Sequence, residues 1–192
     1  VGHDVAQMAV QVYGGHGYIR DNGVEQYARD ARIAMIYEGA NGIQALDLVG
    51  RKLPAHMGRY LRRFFHPVQA WIDSNTSDAQ LQPFVLPLAK AFGRLQLATG
   101  QVAQAGLKNP NEAGAASSEY LKLFALVTLA FLWARMAKVA LEKQVSDDTG
   151  FYQAKIATAR FFVERILPQT GALFASIMAG GATMMEFPDD AF

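Results

Sequence analysis

The residue best placed to do chemistry is Glu38, which lies between an apolar run, residues 33–37, and a glycine-containing turn. A carboxylate beside apolar side chains loses hydration, which disfavours its charged form and makes it a better general base near neutral pH. A Glu before a Gly also fits the solvated end of a helix, where it would have no catalytic role. The residue types alone leave both interpretations open.

A second candidate is the glycine run Gly14-Gly15-His16-Gly17. No strand pattern precedes it and the G-x-G-x-x-G spacing is absent, so it is not a dinucleotide fingerprint. Such a run either ends a helix or lets a ligand approach the backbone closely. His16 is likewise either a surface loop residue or an acid or base. The four histidines lack the H-x-x-x-H and H-E-x-x-H spacings, so no protein metal site is predicted.

Composition excludes several classes of function. The chain has 192 residues, of which 51% are hydrophobic and 18% charged, with a formal net charge of +1. That near-neutral charge predicts no binding to nucleic acid or to an anionic membrane. The absence of cysteine excludes disulfides and thiolate metal sites and favours a cytoplasmic location. Because a helical pattern is already running at Val1, we expect the chain to be part of a longer protein.

Helical spacing predicts the elements around these residues. The first helix runs from Asp4 to about Tyr13, the second is capped by Asp21 or Asn22, and the third follows the Glu38 turn and ends toward Pro54. No convincing alternating strand pattern occurs, so the fold class is all-α.

From Met57 to Gly180, four long apolar stripes predict an antiparallel four-helix bundle. We expect a kink or restart at Pro67, a capping box at Ser77-x-x-Gln80, a loop over residues 108–114, a cap at Ser117 or Ser118, and a kink at Pro168. The apolar run 123–134 would span about 18 Å, short of the roughly 30 Å of a bilayer core, so it predicts a buried central helix and no transmembrane segment. The aromatic residues lie at helical spacing and are assigned to the core. We place the domain boundary between residues 56 and 57.

Three motifs occur in order within about fifty residues: Gln11-Val-Tyr-Gly14-Gly15-His-Gly17, Val24-Glu-Gln-Tyr-Ala-Arg29-Asp30-Ala31, and Tyr37-Glu38-Gly39. Together they resemble the end of the C-terminal helical domain of acyl-CoA dehydrogenases, flavoproteins that introduce an α,β double bond into an acyl-CoA thioester. The continuation over residues 42–52 resembles the branch that carries an extra C-terminal helical domain, which includes 3-methylmercaptopropionyl-CoA dehydrogenases. Residues 57–192 would then be that extension.

The resemblance implies roles for individual residues. Glu38 matches the catalytic base that removes the α-proton, and Gly39 would lie against the substrate. Gln11, Gly14 and Gly15 match the turn that contacts the FAD of a neighbouring subunit, which implies a dimer or a dimer of dimers. Ala40, Asn41 and Gly42 match the segment that touches the flavin. The implied partners are an acyl-CoA, fatty or 3-methylmercaptopropionyl, and electron-transfer flavoprotein as the electron acceptor.

The sequence departs from the family pattern at two of these positions. Ala40 stands where the family usually has Thr, so a hydroxyl donor is lost, and Gly42 replaces a side chain found in short-chain members. A catalytically silent binding or assembly protein with this fold is the alternative hypothesis, against which the retained Glu38 argues. Because most of the family's flavin site lies in domains outside this chain, we expect the isolated 192-residue chain to lack FAD and activity.

Overall fold

The computed structural model describes residues 1–186 and 188–191, and over those residues it contains helices and turns but no strand. The chain forms two compact units, Val1–Gln44 and Ala45–Phe192. The sequence places the domain boundary later, between residues 56 and 57, and that boundary stays a prediction. The all-α fold class is confirmed.

The first unit is built of short helices. These are α1 (Gly2–Tyr13), α2 (Gly15–Tyr18), α3 (Val24–Arg32) and the beginning of α4 (Asn41–Asp47), with 3₁₀ turns at Arg20–Asn22 and Ile33–Met35. Helices α1 and α3 pack together, and the ring nitrogen Nδ1 of His3 lies 3.3 Å from the carbonyl oxygen of Ala28. The buried residues of this unit are Ala6, Gly17 and Ala28. Such small side chains bury little apolar area, so the unit has almost no core of its own.

The start of α3 differs from the expected cap. Neither Asp21 nor Asn22 caps the helix; both lie in the preceding 3₁₀ turn, and the N-cap is Gly23 with φ 68°. The amide side chain of Asn22 instead donates to the carbonyl of His16 over 2.7 Å, which ties α2 to this turn. Glycine is favoured at position 23 because it adopts the left-handed conformation without steric cost.

The second unit is a bundle of long helices. Its elements are α5 (Ala55–Asn75), α6 (Gln82–Lys108), α7 (Pro110–Lys143), α8 (Phe151–Phe161), α9 (Thr170–Ala179) and the short α10 (Ala182–Met185). A π-helical segment, Leu48–Lys52, precedes α5. A second one, Phe162–Ile166, and a 3₁₀ turn, Leu167–Gln169, join α8 to α9 into one interrupted fourth helix. This interruption confirms the break expected at Pro168, and α9 ends at Gly180 as expected.

Pairs of contacting residues establish the direction of each helix. Between α5 and α7, Phe64 meets Phe124 and Trp71 meets Phe131, so the two numbers rise together and these helices run parallel. Between α6 and α7, Thr99 meets Tyr120 and Gly106 meets Ala113, so the numbers run in opposite senses.

The fourth helix runs opposite to α7 by the same test. Phe162 meets Trp133, and Gly181 meets Glu112 near the start of α7. The four helices therefore alternate up and down with short connections, which confirms the antiparallel four-helix bundle.

Helix α7 forms the centre of the bundle. One seam along it is buried at nearly heptad spacing: Ala116, Tyr120, Leu123, Val127, Ala130, Ala134, Ala137 and Ala140. This seam and its flanks pack against α5, α6 and the fourth helix. Among the described residues, Pro110–Ser146 is the stretch that is long and apolar enough to cross a bilayer, but length and composition alone are weak evidence and core helices share them. Its seam packs inside the bundle, while 33% of its most apolar window is buried in the described part of the chain; the expectation of no transmembrane segment stays a prediction.

Four local predictions within the bundle are wrong. Only Asn109 separates α6 from α7, so residues 110–114 of the expected loop over 108–114 lie inside α7. Helix α5 passes through Pro67 without a break in its dihedral angles, and the break lies instead at His56–Gly58. Ser77-x-x-Gln80 is not a capping box, because α6 begins at Gln82 with no side-chain cap.

The start of α7 also differs from the expected cap. Ser117 and Ser118 lie inside α7, whose N-cap is Asn109; the Asn109 side chain accepts a hydrogen bond from the backbone N–H of Asn111. Pro110 fits the first position of α7 because proline has no N–H to leave unpaired there.

Candidate active site

Glu38 occupies a turn with an unusual backbone. The 3₁₀ turn Ile33–Met35 ends at Ile36, and then Glu38 adopts φ 56° and Gly39 φ 90° before α4 begins at Asn41. A left-handed conformation is uncommon for a residue with a Cβ and costs about 1–2 kcal/mol. Residues held in such conformations cluster at functional sites, so this backbone conformation supports a functional role for the Glu38 carboxylate.

The side chain of Glu38 is exposed in this chain. Ile36 and Tyr37, which precede it, are also about half exposed, at 52% and 53%. The partial desolvation expected from the apolar run is therefore not provided by this chain. Among the described residues, no side chain donates a hydrogen bond to the Glu38 carboxylate.

Gln44 fixes the turn that carries Glu38. Its side-chain Nε2 donates to the carbonyl oxygen of Glu38 over 2.9 Å, while its backbone N–H donates to the carbonyl of Ala40 over 3.1 Å. The first turn of α4 thus clamps the backbone of the carboxylate-bearing residue. Residue types and spacing assign no role to Gln44; the signal in the sequence is an amide six residues after Glu38, at the start of a helical pattern.

Gly39 is required by the same arrangement. A Cβ at position 39 would lie 2.8 Å from Nε2 of Gln44, closer than real contacts allow. Its φ of 90° is also one that side-chain-bearing residues rarely adopt. A side chain at position 39 would have to push aside the flexible end of the Gln44 side chain and would be strained by this φ.

Gln11, Gly14 and Gly15 lie together where α1 passes into α2. Gly14 has φ 60° and its N–H donates to the carbonyl of Gln11 over 3.1 Å, closing α1. Open space surrounds the positions that a Cβ would take at Gly14 and Gly15. The third glycine differs, because a Cβ at Gly17 would lie 2.4 Å from the carbonyl oxygen of Val10. Gly17 therefore allows α2 to fold back on α1, and Gly14 and Gly15 leave backbone accessible.

Ala40, Asn41 and Gly42 form the start of α4, directly after the Glu38 turn. All three are exposed, and a Cβ at Gly42 would meet nothing within 4 Å. This segment and the Gln11–Gly15 turn are two separate accessible stretches of backbone, and no side-chain hydrogen bond in the described part of the chain joins them. Over the same residues, no group of three His, Asp or Glu side chains is arranged to hold a metal ion.

Two family models cover nearly the whole chain. Residues 64–188 match the model described as acetyl-CoA dehydrogenase C-terminal like, and residues 1–53 match the acyl-CoA dehydrogenase C-terminal domain. The first match alone spans more than half of the chain. The chain belongs to the acyl-CoA dehydrogenase family.

Relatives of this acyl-CoA dehydrogenase segment align over almost all of it. A 3-methylmercaptopropionyl-CoA dehydrogenase from Ruegeria pomeroyi is 35% identical over 186 residues, covering 95% of the chain and 31% of the relative. A broad-specificity linear acyl-CoA dehydrogenase, FadE5, from Mycobacterium tuberculosis is 30% identical over 194 residues, covering 96% of the chain and 32% of the relative. The chain thus spans about a third of the length of these relatives.

Proposed function

We propose that this chain is the C-terminal part of an FAD-dependent acyl-CoA dehydrogenase and that Glu38 is the base that removes the α-proton of the acyl-CoA thioester. The observation that carries the proposal is the clamped turn: Glu38 has a left-handed backbone held by Gln44, beside a glycine whose φ of 90° is rarely adopted by residues with a side chain. Both relatives described above are named as acyl-CoA dehydrogenases, which supports the reaction class.

The contact with Gln44 would aid proton transfer, because it fixes the backbone position from which the Glu38 side chain extends. A general base must lie within hydrogen-bond reach of the proton that it takes, and a misplacement of about 1 Å can cost about 100-fold in rate. The hydration of Glu38 in this chain would have to be removed by substrate and by the rest of the parent protein. Loss of water would make the carboxylate a stronger base toward a weakly acidic α-proton.

The residues present fit a contact with FAD, which when bound supplies the acceptor for the hydride that leaves the β-carbon. The Cβ positions of Gly14, Gly15 and Gly42 face open space, so a large cofactor can approach this backbone closely. The N–H of Gly14 already donates to the carbonyl of Gln11 and is not available to the cofactor. Gln11, also exposed, would add an amide donor and acceptor. Ala40 offers backbone alone. Because these are few contacts, they would not offset the entropy of association by themselves, and we propose that the isolated chain holds no FAD.

The test is Glu38→Gln in the full-length parent protein. Gln keeps the size of the side chain but cannot accept the proton, so exchange of the α-hydrogen of a bound acyl-CoA with deuterated water should fall by at least 10²-fold. Calorimetric titration with the same acyl-CoA should give an affinity within about threefold of wild type. Glu142→Gln, which changes an exposed Glu on α7 in the same way, is the matched control and should exchange at the wild-type rate.

An exchange rate for the Glu38 variant within tenfold of wild type would exclude Glu38 as the base. A panel of acyl-CoA substrates in the same assay, including 3-methylmercaptopropionyl-CoA and linear fatty acyl-CoAs, would identify the substrate class. We also propose a homo-oligomeric parent that passes electrons to electron-transfer flavoprotein.

A catalytically silent binding or assembly protein is the second candidate, and Ala40 is the observation that favours it. The alanine removes a hydroxyl donor next to the base, while its carbonyl is already engaged by the backbone N–H of Gln44. Under this hypothesis, the wild-type parent would bind acyl-CoA without exchanging its α-hydrogen or reducing an artificial electron acceptor.

A further inference from the structure

A cavity of about 440 Å³ lies within the second unit, where the π-helical segment Leu48–Lys52 faces α5 and α7. Its walls are apolar and are formed by Leu48, Leu53, Leu61 and Phe124. This volume and lining are typical of sites that hold a small molecule, which occupy about 300–1,000 Å³ and combine apolar walls with a few polar groups.

Arg51 and Lys52 supply the polar groups at the rim of the cavity. Both contact one carboxylate, that of Asp47: Arg51 through two nitrogens, and Lys52 through Nζ at 3.1 Å. Hydrogen bonds from Arg51 and then from Lys52 lower the pKa of Asp47 to about 2, so this carboxylate is charged at neutral pH. Two cations against one anion leave the rim with an excess positive charge.

The surrounding sequence increases this charge. Residues 48–72 contain five arginines and lysines but no Asp or Glu, whereas the whole chain has a net charge of +1. Arg59, Arg62 and Arg63 are exposed on α5, and none forms an ion pair within the described residues. Solvated helix faces normally mix both signs of charge, so this excess is a feature to be explained.

Irregular backbone frames the cavity on two sides. The π turn closes with a hydrogen bond from the N–H of Leu53 to the carbonyl of Leu48 at 2.9 Å, and such turns occur frequently at functional sites.

On the other side of the cavity, His56, Met57 and Gly58 are all left-handed, with φ of 51°, 57° and 73°. Arg62 donates to the carbonyl of Met57 over 2.7 Å, and the ring of His56 packs edge-on against Tyr60, a lining residue, at 5.1 Å. The surrounding structure thus maintains two costly conformations beside one cavity.

We propose that this cavity binds a single soluble amphipathic anion, with an apolar chain between Leu48, Leu61 and Phe124 and a phosphate or carboxylate head against Arg51 and Lys52. An apolar chain gains free energy by leaving water for these walls. The anionic head gains charge-assisted hydrogen bonds from the rim. The proposed ligand is one dissolved molecule, and a lipid within a bilayer is the alternative that the test below distinguishes.

The test is calorimetric titration of the 192-residue chain with dodecyl phosphate below its critical micelle concentration. We expect saturable binding with one site per chain. Ethyl phosphate, which keeps the head but lacks the chain, should bind at least tenfold more weakly. Lys52→Glu should reduce the affinity for dodecyl phosphate at least tenfold, whereas Arg160→Glu, an equal change of charge at an exposed position on α8, should leave it unchanged.

A second variant separates loss of binding from loss of fold. Leu48→Phe adds volume at the cavity wall and should also reduce affinity, with circular dichroism and the melting temperature reporting whether the bundle is intact. Binding that is not saturable, that is equal in Lys52→Glu, or that is equal for ethyl phosphate would overturn the proposal. Binding only to vesicles of phosphatidylglycerol, with none to the monomeric amphiphile, would overturn it as well.

Discussion

Met57 carries a side chain in a backbone conformation that suits glycine. Its φ is 57°, its side chain is 90% exposed, and it lies between two other left-handed residues. The side chain therefore makes little contact that could repay the left-handed conformation, which costs about 1–2 kcal/mol. Glu38 has the same conformation, and in both residues a side chain holds the backbone carbonyl: Gln44 donates to Glu38 over 2.9 Å, and Arg62 donates to Met57 over 2.7 Å.

We predict that Met57→Gly stabilises the chain by about 0.5–1 kcal/mol, because the relief of strain exceeds the extra entropy that glycine loses on folding. The measurement is chemical denaturation followed by circular dichroism. Arg59→Gly is the matched control: the same substitution two residues later, in right-handed helix, should destabilise by about 1 kcal/mol. A destabilising effect at both positions would contradict the strain at Met57.

At the scale of elements, one hydrogen bond aligns α6 with α7. The hydroxyl of Tyr120, a fully buried residue, lies 2.7 Å from Oγ1 of Thr99. Since Thr99 donates its own proton to the carbonyl of Leu95 over 2.7 Å, Tyr120 is the donor between the two hydroxyls. Burial raises the pKa of Tyr120 to about 12.

This pKa predicts a pH dependence of stability. Between the ordinary tyrosine pKa of 10 and about 12, the folded chain retains the proton that the unfolded chain loses. The stability linked to Tyr120 is therefore complete below pH 10 and declines as pH rises to 12, by about 2–3 kcal/mol in total. Tyr120→Phe should cost about 1 kcal/mol at pH 7 and should show a smaller decline above pH 10. Denaturation of both proteins from pH 7 to 11.5 checks this; parallel curves would refute it.

The elements also show what the sequence could and could not predict. Helix spacing located the long helices because one face of each is buried, and Pro168 and Gly180 mark real interruptions. The Pro67 prediction failed because the dihedral angles of α5 stay helical there, while the left-handed His56–Gly58 turn includes Met57, a residue type that rarely adopts this conformation. The predicted helix caps were wrong where the N-cap residue is a glycine or a more distant Asn, as at Gly23 and Asn109.

The candidate site was predicted in part. Glu38 stood out because a recognisable motif surrounds it, but its solvent exposure could not be foreseen, since hydration depends on what packs over the turn. The role of Gln44 also lay outside sequence reasoning, because it depends on a 2.9 Å contact across the turn. The assignments of Gln11, Gly14, Gly15, Ala40, Asn41 and Gly42 to FAD stay predictions.

At the scale of the whole molecule, the two units differ in what they bury. Residues 1–44 bury only Ala6, Gly17 and Ala28, whereas Val12 and Tyr18 are 84% and 80% exposed. The second unit buries large side chains such as Phe84, Phe92 and Tyr120, and Val49 also joins its core. Only the second unit has the apolar burial that an independent fold needs.

We predict that residues 45–192 unfold cooperatively, that residues 57–192 do so at lower temperature, and that residues 1–44 alone show no transition. Residues 57–192 should melt at lower temperature because they lack Val49, whose removal from the core lowers the free energy of unfolding by about 1.5–3 kcal/mol. Thermal melting by far-UV circular dichroism, with the 192-residue chain as the reference, measures all three. A cooperative transition in residues 1–44 would contradict the absence of a core in the first unit. Equal melting temperatures for residues 45–192 and 57–192 would contradict the contribution of Val49 to the core.

The alanines along the buried seam of α7 have a consequence for how the helices stay in register. Ala130, Ala134, Ala137 and Ala140 present a nearly smooth surface, along which a neighbouring helix could shift by one turn, about 5.4 Å, with little change in the fit of side chains. Bulky partners occur elsewhere: Phe64 with Phe124, Trp71 with Phe131, and Tyr120 with Thr99. A few aromatic contacts therefore select one axial alignment, while the alanines only permit the close approach.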